Sequence, residues 1–232
     1  MAPSSLSATR RWYARIAPIY DLVCRPLYAG PRRAAIRAMD LQSGHRVLEI
    51  GCGTGLNLPM ISAAVGTRGR VLGIDATSKM LDRAEARLDR FDCDNVALFD
   101  GDLLNPPFAA LKGILRKHLD TAHPDIILCS YLFAIAPEYK DLFDCAWKLL
   151  RPGGHFVIVD TQPFQGAWRW LNPLAVPIAN WSGHGDVRRP TVDLLSSLPL
   201  TEVETYLGGS VFIARTRKLG KMRLLDDYMP FT

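Results

Sequence analysis

Val47-Leu48-Glu49-Ile50-Gly51-Cys52-Gly53-Thr54-Gly55 runs from a β-rich segment directly into three alternating glycines. Such a transition lets the backbone turn tightly and approach a ligand at the carboxyl edge of a sheet, where side chains would obstruct it. Gly51, Gly53 and Gly55 are therefore expected to line a ligand loop. The spacing alone serves several dinucleotides, and the next candidate strand narrows it. Val71-Leu72-Gly73-Ile74-Asp75 ends in an acid 24 residues after Gly51, placed to accept hydrogen bonds from two ribose hydroxyls; a helix cap is the other role open to Asp75. A third strand ends in Asp100-Gly101-Asp102-Leu103. Asp102 is expected to meet a polar base edge with Leu103 beside it, although Asp100 competes for that role and a plain turn is the alternative.

On both sides of this loop, short apolar, β-branched runs alternate with helix-compatible ones. The strand candidates are residues 46–50, 70–75, 96–102, 125–130 and 155–160, with the composition of strands covered on both faces. Between them, residues 78–91 align Leu81, Ala84 and Leu88, and residues 138–150 align Leu142, Cys145 or Ala146, and Leu149. Arg151-Pro152-Gly153-Gly154 should stop the second helix and turn the chain into the next strand. Residues 201–207 and 210–216 are separated only by Gly208 and Gly209, too little for a crossover helix, so they should form an antiparallel hairpin. The expected class is α/β: a Rossmann-like, mainly parallel, seven-stranded sheet with an antiparallel last strand and helices on both faces. One domain is expected over 1–232, with a helical lid at 1–40 and a substrate-side insertion at 161–200. That insertion holds five prolines with Trp168, Trp170 and Trp181, and reads either as a substrate cover or as ordinary packing over the sheet.

At 232 residues, 48% hydrophobic and 22% charged, the chain can bury a core without disulfides or metal, and its composition excludes a disordered or fibrous protein. No apolar run approaches the roughly 20 residues of a membrane span. The opening residues lack an apolar segment followed by a small-residue cleavage site, so a cytoplasmic location is expected. Five widely spaced cysteines without a Cys/His cluster predict free thiols and no metal site. The net charge of +5 is uneven: residues 1–39 carry seven arginines against Asp21 alone, and residues 215–223 add five basic side chains. Both ends are thus basic, which suits either an anionic partner or simple solubility.

Glu49 discriminates among ligands. A carboxylate just before the glycines is unwelcome beside a pyrophosphate, whereas a ligand with an ammonium group and a positive sulfur favours it. S-adenosylmethionine has those charges. The other reading of Glu49 is an internal acceptor that holds the glycine loop.

Taken together, the glycine motif, GIDAT at 73–77, GDLL at 101–104, DIILCSYLF at 125–133 and LLRPGGHFVIVD at 149–160 resemble the class I S-adenosylmethionine-dependent methyltransferases. The resemblance implies S-adenosyl-L-methionine as cofactor and S-adenosyl-L-homocysteine as product, with Ala76, Met80 and Ser130 beside the cofactor. Tyr13, Ala17 and Tyr20-Asp21 resemble enzymes that methylate quinone rings and phospholipid amines, in which an N-terminal Tyr-Asp segment covers the cofactor; Tyr13 and Tyr20 are expected there. Pro173-Leu174 and Tyr206-Leu207-Gly208-Gly209 look more like methyltransferases of lipid amine headgroups.

Methyl transfer depends mainly on alignment and dry surroundings, so no catalytic triad is expected. Tyr131, at the end of the fourth strand, is read either as orienting an amine or as packing on the cofactor. His184 is read either as a base for a hydroxyl substrate or as a surface loop residue. His45, His118, His123 and His155 are not expected in catalysis. The expected acceptor is a phospholipid or other lipid amine, reached by peripheral contact with an anionic membrane through the basic ends and tryptophans. The alternatives are O- or C-methylation of a small apolar quinol or phenol, and a noncatalytic cofactor-binding module. Nucleic acid is not an expected partner: Asn105-Pro106-Pro107-Phe108 follows the third strand rather than the fourth. The oligomeric state is left open.

Overall fold

The computed structural model describes residues 6–183 and 185–220. Two helices come first, α1 (Leu6–Leu27) and α2 (Ala29–Ala38). There follow β1 (Arg46–Ile50), α3 (Leu58–Val65), β2 (Arg70–Asp75), α4 (Ser78–Arg90), β3 (Val96–Asp100) and α5 (Phe108–Leu119). The second half holds β4 (Ile126–Ser130), α6 (Tyr139–Leu149), β5 (His155–Thr161), a 3₁₀ turn (Gly166–Leu171), α7 (Asn172–Gly183), α8 (Asp193–Ser196), β6 (Glu202–Tyr206) and β7 (Val211–Arg217).

The strands form one sheet in the order β3-β2-β1-β4-β5-β7-β6. The first five pair in parallel, β7 runs antiparallel to β5, and β6 runs antiparallel to β7. The expected topology is therefore present. Its cause is legible in the strands: alternate side chains point to opposite faces, and each face has its own apolar layer. Leu48, Ile50, Leu72 and Ile74 pack with Leu111, Phe143 and Trp147 on one face. Val47, Val71, Leu128 and Val157 pack with Ala34, Leu58 and Ile61 on the other.

The turns use glycine where the backbone demands it. Gly153 has φ +78° and a Cβ on Gly154 would stand 2.6 Å from the Asp125 carbonyl oxygen, so the turn from α6 into β5 needs glycine at 153 for its backbone conformation and at 154 for space. The insertion is more regular than its prolines predict. Its centre is the 12-residue helix α7, with Pro177 inside it. Pro173 sits in the first turn, where the missing N–H costs nothing. The short helices α3 and α5 carry weaker periodic signals: α3 is apolar nearly all round, and α5 contains Gly113, a poor helix former.

Candidate active site

The carboxyl ends of β1, β2, β3 and β4 converge with α1 around a cavity of about 360 Å³. The glycine loop forms its floor. Gly53 has φ +56° with open space where a Cβ would project, so its backbone is bare toward any ligand. Gly55 has φ +73° for a different reason: its missing Cβ would lie 3.0 Å from that of Ala84, and the bare position lets the loop pack on α4.

Asp75 closes the loop from the neighbouring strand. One carboxylate oxygen accepts the Gly53 N–H at 2.8 Å and the other accepts the Thr77 N–H at 2.9 Å. Burial raises the Asp75 pKa against these two hydrogen bonds, which lower it. Met80 and Ala76 line the same wall. Asp102 and Leu103 line the next, where Asp102 also accepts the Leu104 N–H at 3.1 Å. Asp100 is turned elsewhere and takes the Ser78 hydroxyl at 2.5 Å. From β4 come Ser130 and Tyr131; from α1 come Thr9, Arg10, Tyr13 and Tyr20. The Tyr13 and Tyr20 rings meet edge to face at 6.1 Å. Burial pushes both phenols upward, so they stay protonated.

Two expected ligand residues lie behind this wall. Gly55 contacts α4, as above. Glu49 is fully buried and is not among the lining residues. The strand pleat explains its position: Glu49 shares the parity of Val47 and so faces α2 and α3, whereas Ile50 faces the cavity. Its Oε1 accepts from Asn57 Nδ2 at 2.6 Å and from the Ser130 hydroxyl at 3.1 Å, while Oε2 has no partner. Burial raises its pKa to about 7. His184 lies outside the described residues.

Tyr131 is held unusually. Its φ is +55°, a left-handed conformation that non-glycine residues seldom adopt. Its ring lies 4.5 Å from that of Tyr28, and the Arg32 guanidinium stands 5.3 Å from the Tyr131 centroid. The hydroxyl is buried without a hydrogen-bond partner, and burial raises its pKa strongly. It is therefore a protonated phenol with unused hydrogen-bonding capacity.

Asp21 stands in the Tyr-Asp segment of the resemblance, but its partner Arg87 and the bridging Asn57 have no local sequence signal. Asp21 accepts the Thr54 hydroxyl at 2.6 Å and pairs with Arg87 at 2.5 Å, while Arg87 also donates to the Thr54 carbonyl. These contacts pin α1 across the glycine loop. Asn57 bridges Arg32 and Glu49. Asp160, fully buried at the end of β5, accepts the Ala134 N–H at 3.0 Å and is pushed up to about 6 by burial.

The donor set fits the cofactor implied by the motifs. A bare glycine backbone, carboxylates at the ends of β2 and β3, and apolar walls from Ile50, Ile74, Met80 and Leu103 suit an adenosyl group with a cationic tail. Among the described residues, no group of three or more His, Cys, Asp or Glu is placed to hold a metal ion. No described helix is long and apolar enough to cross a membrane.

Comparison with known proteins points to the same family as the motifs. Residues 48–156 match a family described as a methyltransferase domain. A phosphatidylethanolamine N-methyltransferase of Cereibacter sphaeroides is 31% identical over 157 residues, covering 67% of this chain and 68% of that protein. A demethylmenaquinone methyltransferase of Listeria welshimeri is 26% identical over 162 residues, or 68% of this chain; the match spans only 64% of that relative's length. In fold, the chain is similar to an O-methyltransferase family protein from Burkholderia thailandensis, with a TM-score of 0.68 at 14% identity, over 93% of this chain and 63% of that one.

Proposed function

Since the chain belongs to the class I S-adenosylmethionine-dependent methyltransferases, we propose that it methylates the amine of a phospholipid or other lipid headgroup and releases S-adenosyl-L-homocysteine. One observation carries the reading: α1, which lines the cavity through Tyr13 and Tyr20, meets the tryptophan-rich insertion through a Trp12–Trp181 ring contact at 6.3 Å. The cofactor-side cavity and an exposed apolar surface are thus built on touching elements. The relative from Cereibacter sphaeroides, a phosphatidylethanolamine N-methyltransferase, supports the same choice.

In this reading Gly51 and Gly53 present backbone to the cofactor, Asp75 takes its ribose, and Asp102 with Leu103 meets its adenine end. When bound, S-adenosylmethionine supplies a methyl group already activated by its sulfonium. The protein then has to exclude water and align the acceptor. Tyr13 and Tyr20 form the lid. Tyr131 borders the acceptor space and packs there through its ring, while its buried hydroxyl, kept neutral by its raised pKa, takes no proton. An amine that binds unprotonated needs no strong base.

The acceptor is met at a membrane surface. Trp168, Trp170 and Trp181 are exposed, and so are Arg11, Arg15, Arg25 and Arg169 on the same two segments. Aromatic rings with neighbouring arginines suit peripheral contact with an anionic bilayer and support a location at the inner membrane face. A second reading, O- or C-methylation of an apolar quinol or phenol, is favoured by the demethylmenaquinone relative.

The deciding experiment incubates purified protein with methyl-labelled S-adenosylmethionine and cell extract and identifies the product by mass spectrometry. A labelled lipid amine is expected. A labelled quinol or soluble phenol, with no labelled lipid amine, would replace the first reading by the second.

A further inference from the structure

A second cavity, of about 280 Å³, lies between the end of α1, the start of the insertion, α7 and the β6–β7 turn. Its apolar wall comprises Leu27, Phe164, Ala175, Val176, Leu207 and Val211. Polar side chains also border it, and three of them, Asn172, Gln162 and Ser210, are engaged with backbone. Both side-chain atoms of Asn172 bond the Phe164 backbone, at 2.8 and 3.0 Å. Gln162 donates to the Gly209 carbonyl at 2.8 Å, and the Ser210 hydroxyl donates to the Leu207 carbonyl at 2.8 Å. A polar ligand would find these groups engaged, whereas an apolar one loses nothing by entering.

Size and surroundings specify the ligand further. The volume is nearly twice that of a cavity of about 150 Å³ that accepts one benzene ring, which gives room for roughly a dozen carbon atoms. Outside it, α7 exposes Leu174, Ile178 and Trp181, spaced to form one stripe, and residues 170–183 carry no charge. Inside, Tyr28 borders this cavity and Tyr131 borders the cofactor cavity, and their rings touch at 4.5 Å. This ring pair therefore lies between the two spaces.

We propose that the second cavity seats the hydrocarbon tail of the methyl acceptor, with the Tyr28–Tyr131 pair as the partition between tail and reacting head. The inference rests on the reading that the acceptor is amphipathic. The shared chemistry is a flexible apolar chain, carried either by a lipid amine or by a quinol or phenol.

Binding of decylamine and 4-decylphenol, each compared with ethylamine and phenol below micelle-forming concentrations and with S-adenosylhomocysteine present, tests the tail seat. Each decyl probe should bind at least about 30-fold more tightly than its short counterpart. Ala175→Phe fills the cavity from α7, and Leu207→Trp fills it from the hairpin. Either variant should reduce the chain advantage to less than about threefold while leaving cofactor affinity unchanged. Decylamine carrying a terminal diazirine should label residues 27–28, 161–164, 172–179, 187 or 207–211 of the unaltered protein, a readout that does not depend on either variant folding. The proposal is overturned if the unaltered protein shows no chain advantage, if the advantage persists in a variant that binds cofactor, or if the label falls elsewhere. Turnover is scored separately. A chain advantage lost in the variants, with neither head methylated, supports the tail seat and counts against the proposed activity; methylation without a chain advantage does the reverse.

Discussion

The Asp75 carboxylate accepts the Gly53 backbone N–H at 2.8 Å, so the end of β2 holds the loop that follows β1. One residue thereby organises the glycine floor and also faces the cavity. Asp75→Ala should remove charge-assisted hydrogen bonds worth about 2 to 4 kcal/mol and weaken S-adenosylmethionine binding about 30-fold to 1,000-fold. Calorimetry on the folded variant checks this; unchanged affinity would remove Asp75 from the site. Excess NAD should not displace the cofactor from the unaltered protein.

The two acids after β3 are separated by environment. Asp102 borders the cavity, while Asp100 is engaged by Ser78 at 2.5 Å. Asp102→Asn should therefore weaken cofactor binding more than Asp100→Asn. A larger loss at Asp100 would reverse the assignment.

Glu49 should make stability depend on pH. Its folded pKa of about 7 lies above the ordinary 4.5, so the folded protein binds the proton more tightly than the unfolded chain does. Stability is then greatest below pH 4.5 as far as this group is concerned, and falls as pH rises to about 7. The full change is roughly 3 kcal/mol. Glu49→Gln keeps the acceptor used by Asn57 and Ser130 and removes the titration. Denaturant unfolding should show it more stable than the unaltered protein at pH 8 and less pH-dependent between pH 5 and 7. Asp160, raised to about 6, leaves a residual slope in the same direction. Identical pH profiles for the two proteins would show that Glu49 does not titrate in this range.

The Asp21–Arg87 pair fastens α1 over the loop, with side chains 21% and 17% exposed. That exposure moderates its contribution to about 1 kcal/mol. Asp21→Asn should weaken cofactor binding roughly fivefold, mainly through faster release in stopped-flow measurements, because the contact closes the site rather than touching the ligand. A faster association rate with unchanged release would contradict the anchoring role.

The tryptophans should behave differently from one another. Trp170 is 72% exposed, whereas Trp168 packs where a Cβ on Gly208 would project. Trp170→Ala should reduce binding to anionic vesicles and leave thermal stability unchanged; Trp168→Ala should lower both. Added salt should weaken vesicle binding of the unaltered protein, since the Debye length shrinks from about 10 Å at 0.1 M to about 3 Å at 1 M. Salt-independent vesicle binding would exclude a contribution from the arginines.

The strands, their alternation with helices, the glycine loop and the terminal acids at Asp75 and Asp102 were all legible in the sequence. Each depends on periodicity or turn chemistry contained within a few residues, and a run such as RVLGID carries its own two-faced burial. The hairpin was legible for the same reason, because its short connection excludes a crossover. Tertiary structure alone decided which face of the sheet would receive Glu49. Strand parity separated it from Ile50, but only the packing of α2 and α3 closed the side that Glu49 faces, whereas Ile50 and Ile74 border the cavity at the strand ends. Likewise, the Asp21–Arg87 anchor joins residues 66 positions apart, and the second cavity is assembled from the end of α1, the insertion and the last hairpin. Its walls come from separate segments that each look merely apolar, so their common space exists only once the sheet has brought those segments together.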